Sequence, residues 1–121
     1  MESEAQDYIK EQKSTCESAN LNFVETDMEL IAGVSKTLFT DQQPIHGLRH
    51  PIENGTCGWY LWSGEYSEAA DFFEPHHAKH LFDKKPEVIK YLGLEPGSRF
   101  LIDNKGYEDL WFDKSLLDLN K

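Results

Sequence analysis

The hydrophobic pattern along the chain changes period several times, and each change predicts an element. In residues 2–19, Ala5, Tyr8, Ile9 and Cys16 fall near one side of a helix, among Glu, Lys and Gln. That predicts a helix with a thin apolar stripe, packed at the edge of the domain or frayed. The next segment, FVETDMELIAGVSKTLF (23–39), is rich in apolar and β-branched residues. It predicts a strand around Glu29–Ser35, with Gly33 at a bulge or a close backbone approach. Residues 40–56 contain two prolines, two glycines and the pair Asn54-Gly55, which predicts a short strand over Ile45–Arg49 and then a tight turn. In Gly58–Ser63, Trp59 and Leu61 share one face while Tyr60 and Trp62 share the other. Large side chains on both faces predict a central strand covered on both sides.

Two helices are expected next. Pro75 suits a first helical position and opens one through about Phe82, with Asp71 or Glu74 at its amino-terminal end. Pro86 opens a second, PEVIKYLGL, which presents Val88, Ile89 and Leu92 and stops at Gly93. After Glu95-Pro96-Gly97, RFLID and YEDLWFD are joined by Asn104-Lys105-Gly106, the pattern of a hairpin. The closing SLLDLNK reads as a short helical or extended tail. The expected fold is α+β: a single domain with a mainly antiparallel sheet, short helices and an N-terminal helix. Residues 1–20 form a helical extension and 21–121 the body.

Composition narrows the class. At 121 residues with 39% hydrophobic positions, the chain has enough core to fold without disulfides or a structural metal. Its formal net charge is -10, spread as ten acids against four bases in residues 1–60 and twelve against eight in 61–121. Such a surface repels nucleic acid and attracts a basic protein, although an acidic surface also serves solubility alone. No run approaches the roughly 18 apolar residues of a membrane span. The acidic, polar start is unlike a secretory signal, so a cytoplasmic protein is expected, with Cys16 and Cys57 as free thiols.

Candidate chemistry concentrates in CGWYLWSGEYSEAADFFEPHHAKH (57–80). On a helix, His76 or His77 with His80 could face one metal, with Glu74 and Asp83 nearby, but no third ligand is spaced for it. Ser35 and Ser63 lack a nucleophile-elbow setting, and Cys57 beside Gly58 reads as a small buried residue. Closely spaced carboxylates among Trp and Tyr leave open a small metal-dependent or sugar-acting hydrolase. No glycine pattern cradles a phosphate, and no cofactor is implied. The loop SGEYSEAADFFEP instead mixes acids with Tyr66, Phe72 and Phe73, with one of the two phenylalanines expected inward. That mixture suits an interface with a basic protein partner, as in a regulatory or scaffold module.

Several motifs in order resemble one family. These are AGVSKTLF (32–39), Arg49, Gly58–Glu65 with its Gly-Trp strand and SGE, Pro86–Leu92, Pro96–Phe100 and Tyr107–Trp111. Together they resemble the thirty-third-family-like immunity domain (immunity protein 33-like) of bacterial polymorphic toxin systems, from about Leu30 to Leu117 with the amino-terminal helix outside. The resemblance implies a non-enzymatic protein that binds and neutralises a cognate toxin, with no catalytic residue to carry over and no toxin specified. The binding residues then expected are Glu65, Tyr66, Glu68, Asp71, Phe73 and Glu74, with Asp103, Glu108 and Asp109 in the hairpin as a second surface.

Overall fold

The computed structural model describes residues 2–53 and 55–117. Asn54 of the expected turn and residues 118–121 of the expected tail lie outside them. Helix α1 covers Glu2–Ala19, and six strands follow: β1 Ile31–Ser35, β2 Ile45–Arg49, β3 Thr56–Ser63, β4 Phe73–His77, β5 Ser98–Ile102 and β6 Glu108–Phe112. They form one sheet in the order β4-β1-β3-β2-β5-β6. The four pairings other than β1 with β3 are antiparallel, and that one is parallel. The β2–β3 hairpin folds back so that β3 inserts between β2 and β1, which makes β3 run the same way as β1. The α+β class is as expected, with a mixed sheet.

Several elements differ from the sequence reading. The first strand starts at Ile31, not Glu29, and the Trp strand begins two residues early at Thr56. The Pro86 segment is a 3-10 helix over Pro86–Tyr91. The helix expected from Pro75 to Phe82 does not form: Phe73–His77 is a strand, followed by a 3-10 turn at Ala78–His80 and a single helical turn, α2, at Leu81–Lys84. Neither Asp71 nor Glu74 therefore caps a helix. Pro75 lies opposite Gly33 on an edge strand, where a missing N–H costs no interior ladder bond. The bulge sits in β3, where Gly58 takes φ 89° and a side chain would collide with the His50 carbonyl. Gly33 is instead a close approach, since a Cβ there would lie 2.5 Å from the Tyr60 ring.

The core occupies one side of the sheet. Ala32, Val34, Ile45, Trp59, Leu61, Phe100 and Ile102 cluster with Cys16, Leu38, Leu81, Val88, Ile89, Tyr91, Leu92 and Leu94. The thin stripe of α1 docks through two polar contacts: Gln12 Nε2 donates to the Ile89 carbonyl at 2.9 Å, and Cys16 Sγ to the Gly93 carbonyl at 3.3 Å. Trp59 Nε1 donates to Thr26 Oγ1 at 3.1 Å and to the Leu92 carbonyl at 3.0 Å.

Arg49 is the least expected core residue, 0% exposed and in no ion pair among the described residues. Its guanidinium donates to the carbonyls of Cys57 (3.0 Å), Val24 (2.7 Å) and Leu94 (2.7 Å), with Glu25 O at 3.4 Å, and it stands 5.7 Å from the Trp59 ring. Burial pushes its pKa down to about 10, which still leaves a cation at neutral pH. Arg49→Met would leave buried carbonyls without donors, each costing about 1–3 kcal/mol. The variant should lose about 3 kcal/mol or more in urea unfolding, and a loss below about 1 kcal/mol would show that the carbonyls find other donors.

Candidate functional site

Strand alternation divides the sheet into two unlike faces. Cross-strand neighbours share a face, so the register defines a row running Pro75, Gly33, Tyr60, Leu48, Arg99, Trp111. The next row runs Trp62, His46, Leu101, Asp109. None of these residues belongs to the core cluster, which lies with the helices on the opposite side. Tyr60 and Trp62 therefore do point away from Trp59 and Leu61. The helices cover one face of β3; on the other, Trp62 is buried beneath Tyr66 and Phe73 while Tyr60 is only half-buried, so the second cover is partial.

That loop is held by aromatic edges. Tyr66 meets Trp62 at 5.3 Å between ring centroids and Phe72 at 5.5 Å, while Phe73 meets Tyr60 at 5.2 Å and Trp62 at 5.9 Å. Phe72 and Phe73 are both half-buried, so neither is fully inward. His46 stacks on Trp62 at 4.7 Å with the rings 6° from parallel. Burial, then the Arg99 charge, push the His46 pKa below its usual value. Arg99 itself is bound to Asp113 at 2.8 Å and lies 5.9 Å from the Trp111 ring. The Ser115 hydroxyl, ahead of Arg99, holds the Asp113 carboxyl below the ordinary carboxylate range.

The residues expected to bind a partner do not converge on one spot. Tyr66 and Phe73 join the aromatic cluster, and Asp109 emerges on the same face at the far end. Glu65, Glu68 and Asp71 are exposed along the loop and make no ion pair among the described residues. Glu74 pairs across from the buried Val34, on the helix side, and reaches Lys36 at 3.5 Å and His76 at 3.8 Å. Glu108 accepts a 2.5 Å hydrogen bond from the Tyr91 hydroxyl, whose pKa burial and that carboxylate push up. Asp103 accepts from the backbone N–H groups of Lys105 and Tyr107 and shapes the hairpin turn. Missed by the sequence reading were His46, Leu48, Arg99 and Leu101; the signal for them was the same alternation that placed Tyr60 and Trp62.

The histidine cluster needs correction too. His76 and His77 are successive strand residues and point to opposite faces, so no helix brings them onto one side with His80. Only His77 and His80 approach, at 5.8 Å between rings. Among the described residues, no group of three or more His, Cys, Asp or Glu is placed to hold a metal ion. Ser35 and Ser63 are 0% exposed. Cys16 and Cys57 are free, buried thiols, and burial raises the pKa of each, away from the reactive thiolate.

A pH effect follows from His46. Its folded pKa is depressed, so below about pH 6.5 the unfolded chain takes up a proton that the folded one resists. This contribution to stability is complete above that pH and is lost as pH falls through the folded value. Between pH 7 and pH 5 the melting temperature of the wild type should fall further than that of His46→Phe, which keeps the ring stack without the titration. Equal falls would assign the acid sensitivity elsewhere.

No curated protein and no solved structure matches the chain. No helix among the described residues is long and apolar enough to cross a membrane. The motif order that the sequence carries does find its family: the model of the Imm33-like domain matches residues 11–113, beginning inside α1 and ending just after β6. The chain belongs to the Imm33-like family.

Proposed function

We propose that this chain is an immunity protein that binds a cognate bacterial toxin in the cytoplasm and neutralises it by occupation, with no reaction of its own. The observation that carries this is membership of the Imm33-like family across residues 11–113. The charge of -10 supports a basic toxin, such as a nuclease whose substrate site attracts phosphate. Neutralisation then requires only a stable complex; an interface of about 1,600 Å² with a few anchors reaches nanomolar binding or tighter. Within this reading Glu65, Glu68 and Asp71 steer the approach, and Tyr66 and Phe73 supply buried contact.

The primary test is co-expression with the product of the adjacent gene, purified through a tag on that neighbour. Co-elution together with rescue of growth from the neighbour's toxicity is the expected result. A harmless neighbour that carries nothing through the column would remove the reading. In the complex, Glu68→Lys and Asp71→Lys should slow association and flatten its salt dependence, whereas Phe73→Ala should mainly speed dissociation. Unchanged kinetics in all three would take the 64–74 segment out of the interface.

A further inference from the structure

We infer that the partner docks on the open face of the sheet, seating one projecting apolar side chain of a basic protein surface in a hollow beside the Tyr60 ring. The inference rests on the toxin-binding reading and gives it a location that differs from the loop alone.

The first support is composition by face. A sheet side turned to water ordinarily alternates to polar residues, yet one row here reads Pro75, Gly33, Tyr60, Leu48, Arg99, Trp111. Its single cation, Arg99, is already engaged by Asp113 at 2.8 Å. Trp111 remains 39% exposed, and Leu48, Leu101 and Tyr60 are only half-buried. Aromatic, partly desolvated residues of this kind are the material of interface anchors.

The second support is shape. The Tyr60 ring packs over Gly33, and beside it the surface dips between Ile31, Thr56, Phe73, Glu74 and Pro75 into a hollow of about 240 Å³. That is smaller than the roughly 300–1,000 Å³ of small-molecule sites and many times the ~30 Å³ share of one water. It matches one large side chain.

Charge selects the occupant. The acids Glu65, Glu68 and Asp71 stand at one end of the face and Asp109 at the other, none in an ion pair among the described residues. They favour a basic surface. A second copy of this chain would set -10 against -10 and is disfavoured.

The test measures binding of the purified chain to the toxin from the adjacent gene, using variants that add one positive charge each. Leu48→Arg and Thr56→Arg place it on the open face, and Ser14→Arg places it on the exposed side of α1, as a control for charge alone. The expected result is a rise in Kd of about 30-fold for each face variant, carried by faster dissociation, against less than about threefold for Ser14→Arg. Hydroxyl-radical footprinting of the wild-type complex covers the case in which a variant misfolds: oxidation of Trp111, Tyr60 and Leu48 should fall relative to the free chain. Face variants no weaker than Ser14→Arg, or unchanged oxidation at all three residues, would overturn the location while leaving toxin binding intact. No binding by the wild type would overturn both.

Discussion

A buried guanidinium bonded to backbone carbonyls, with no carboxylate partner among the described residues, organises this fold. Arg49 ends β2 on the face that packs against the helices, and its donors bind carbonyls from three separate stretches: residues 24–25, Cys57 and Leu94. One side chain thus bonds backbone acceptors in two loops and beside the Gly58 bulge of β3. Desolvating a cation costs several kcal/mol, and only a full set of short, well-directed bonds offsets that. The neighbouring Trp59 indole extends the same device, binding Thr26 and the Leu92 carbonyl. The connection from α1 to β1 is thus tied to the end of the Pro86 segment by these side chains together with one antiparallel bridge, Phe23 to Leu94, and the bond from Val24 N–H to the Gly93 carbonyl at 2.8 Å.

How much of this was legible depends on how local each signal was. Ile45–Arg49 and the hairpin of β5 and β6 were readable because alternation and turn residues lie within a few positions of each other. Phe73–His77 was not: a proline after acids looks the same at the first turn of a helix and on an edge strand. The deciding contact, with β1, lies some forty residues earlier in the chain. The parallel β1–β3 pairing is equally non-local. Arg49 did have a local clue, since Ile45, Gly47 and Arg49 alternate onto one face.

The candidate site divides along the same line. Nine residues were named from the sequence because they were acidic or aromatic near turns. The fold gives three of the acids local work: Asp103 holds a turn, Glu108 receives the Tyr91 hydroxyl and Glu74 engages Lys36. Acid content alone could not separate these from Glu65, Glu68, Asp71 and Asp109, which are exposed and unpaired among the described residues. The aromatic members, Tyr66 and Phe73, belong to a surface whose other half, from His46 to Trp111, becomes visible only when the strands are laid side by side.

In the proposed docking, stability and recognition draw on opposite sides of one sheet. The side with Trp59, Arg49 and the helices is dry and bonded to the backbone, so substitutions there act on folding. Open-face side chains such as Leu48, Leu101 and Trp111 are half-buried or exposed, and changing them removes little apolar area from the folded state. A binding face on this side can change its side chains while β2 and β3 stay anchored from behind. The exception is the Trp62, His46 and Phe73 cluster, where loop packing and surface meet. Substitutions there would alter the loop, the face and the acid sensitivity together, so their effects on binding and on folding must be measured separately.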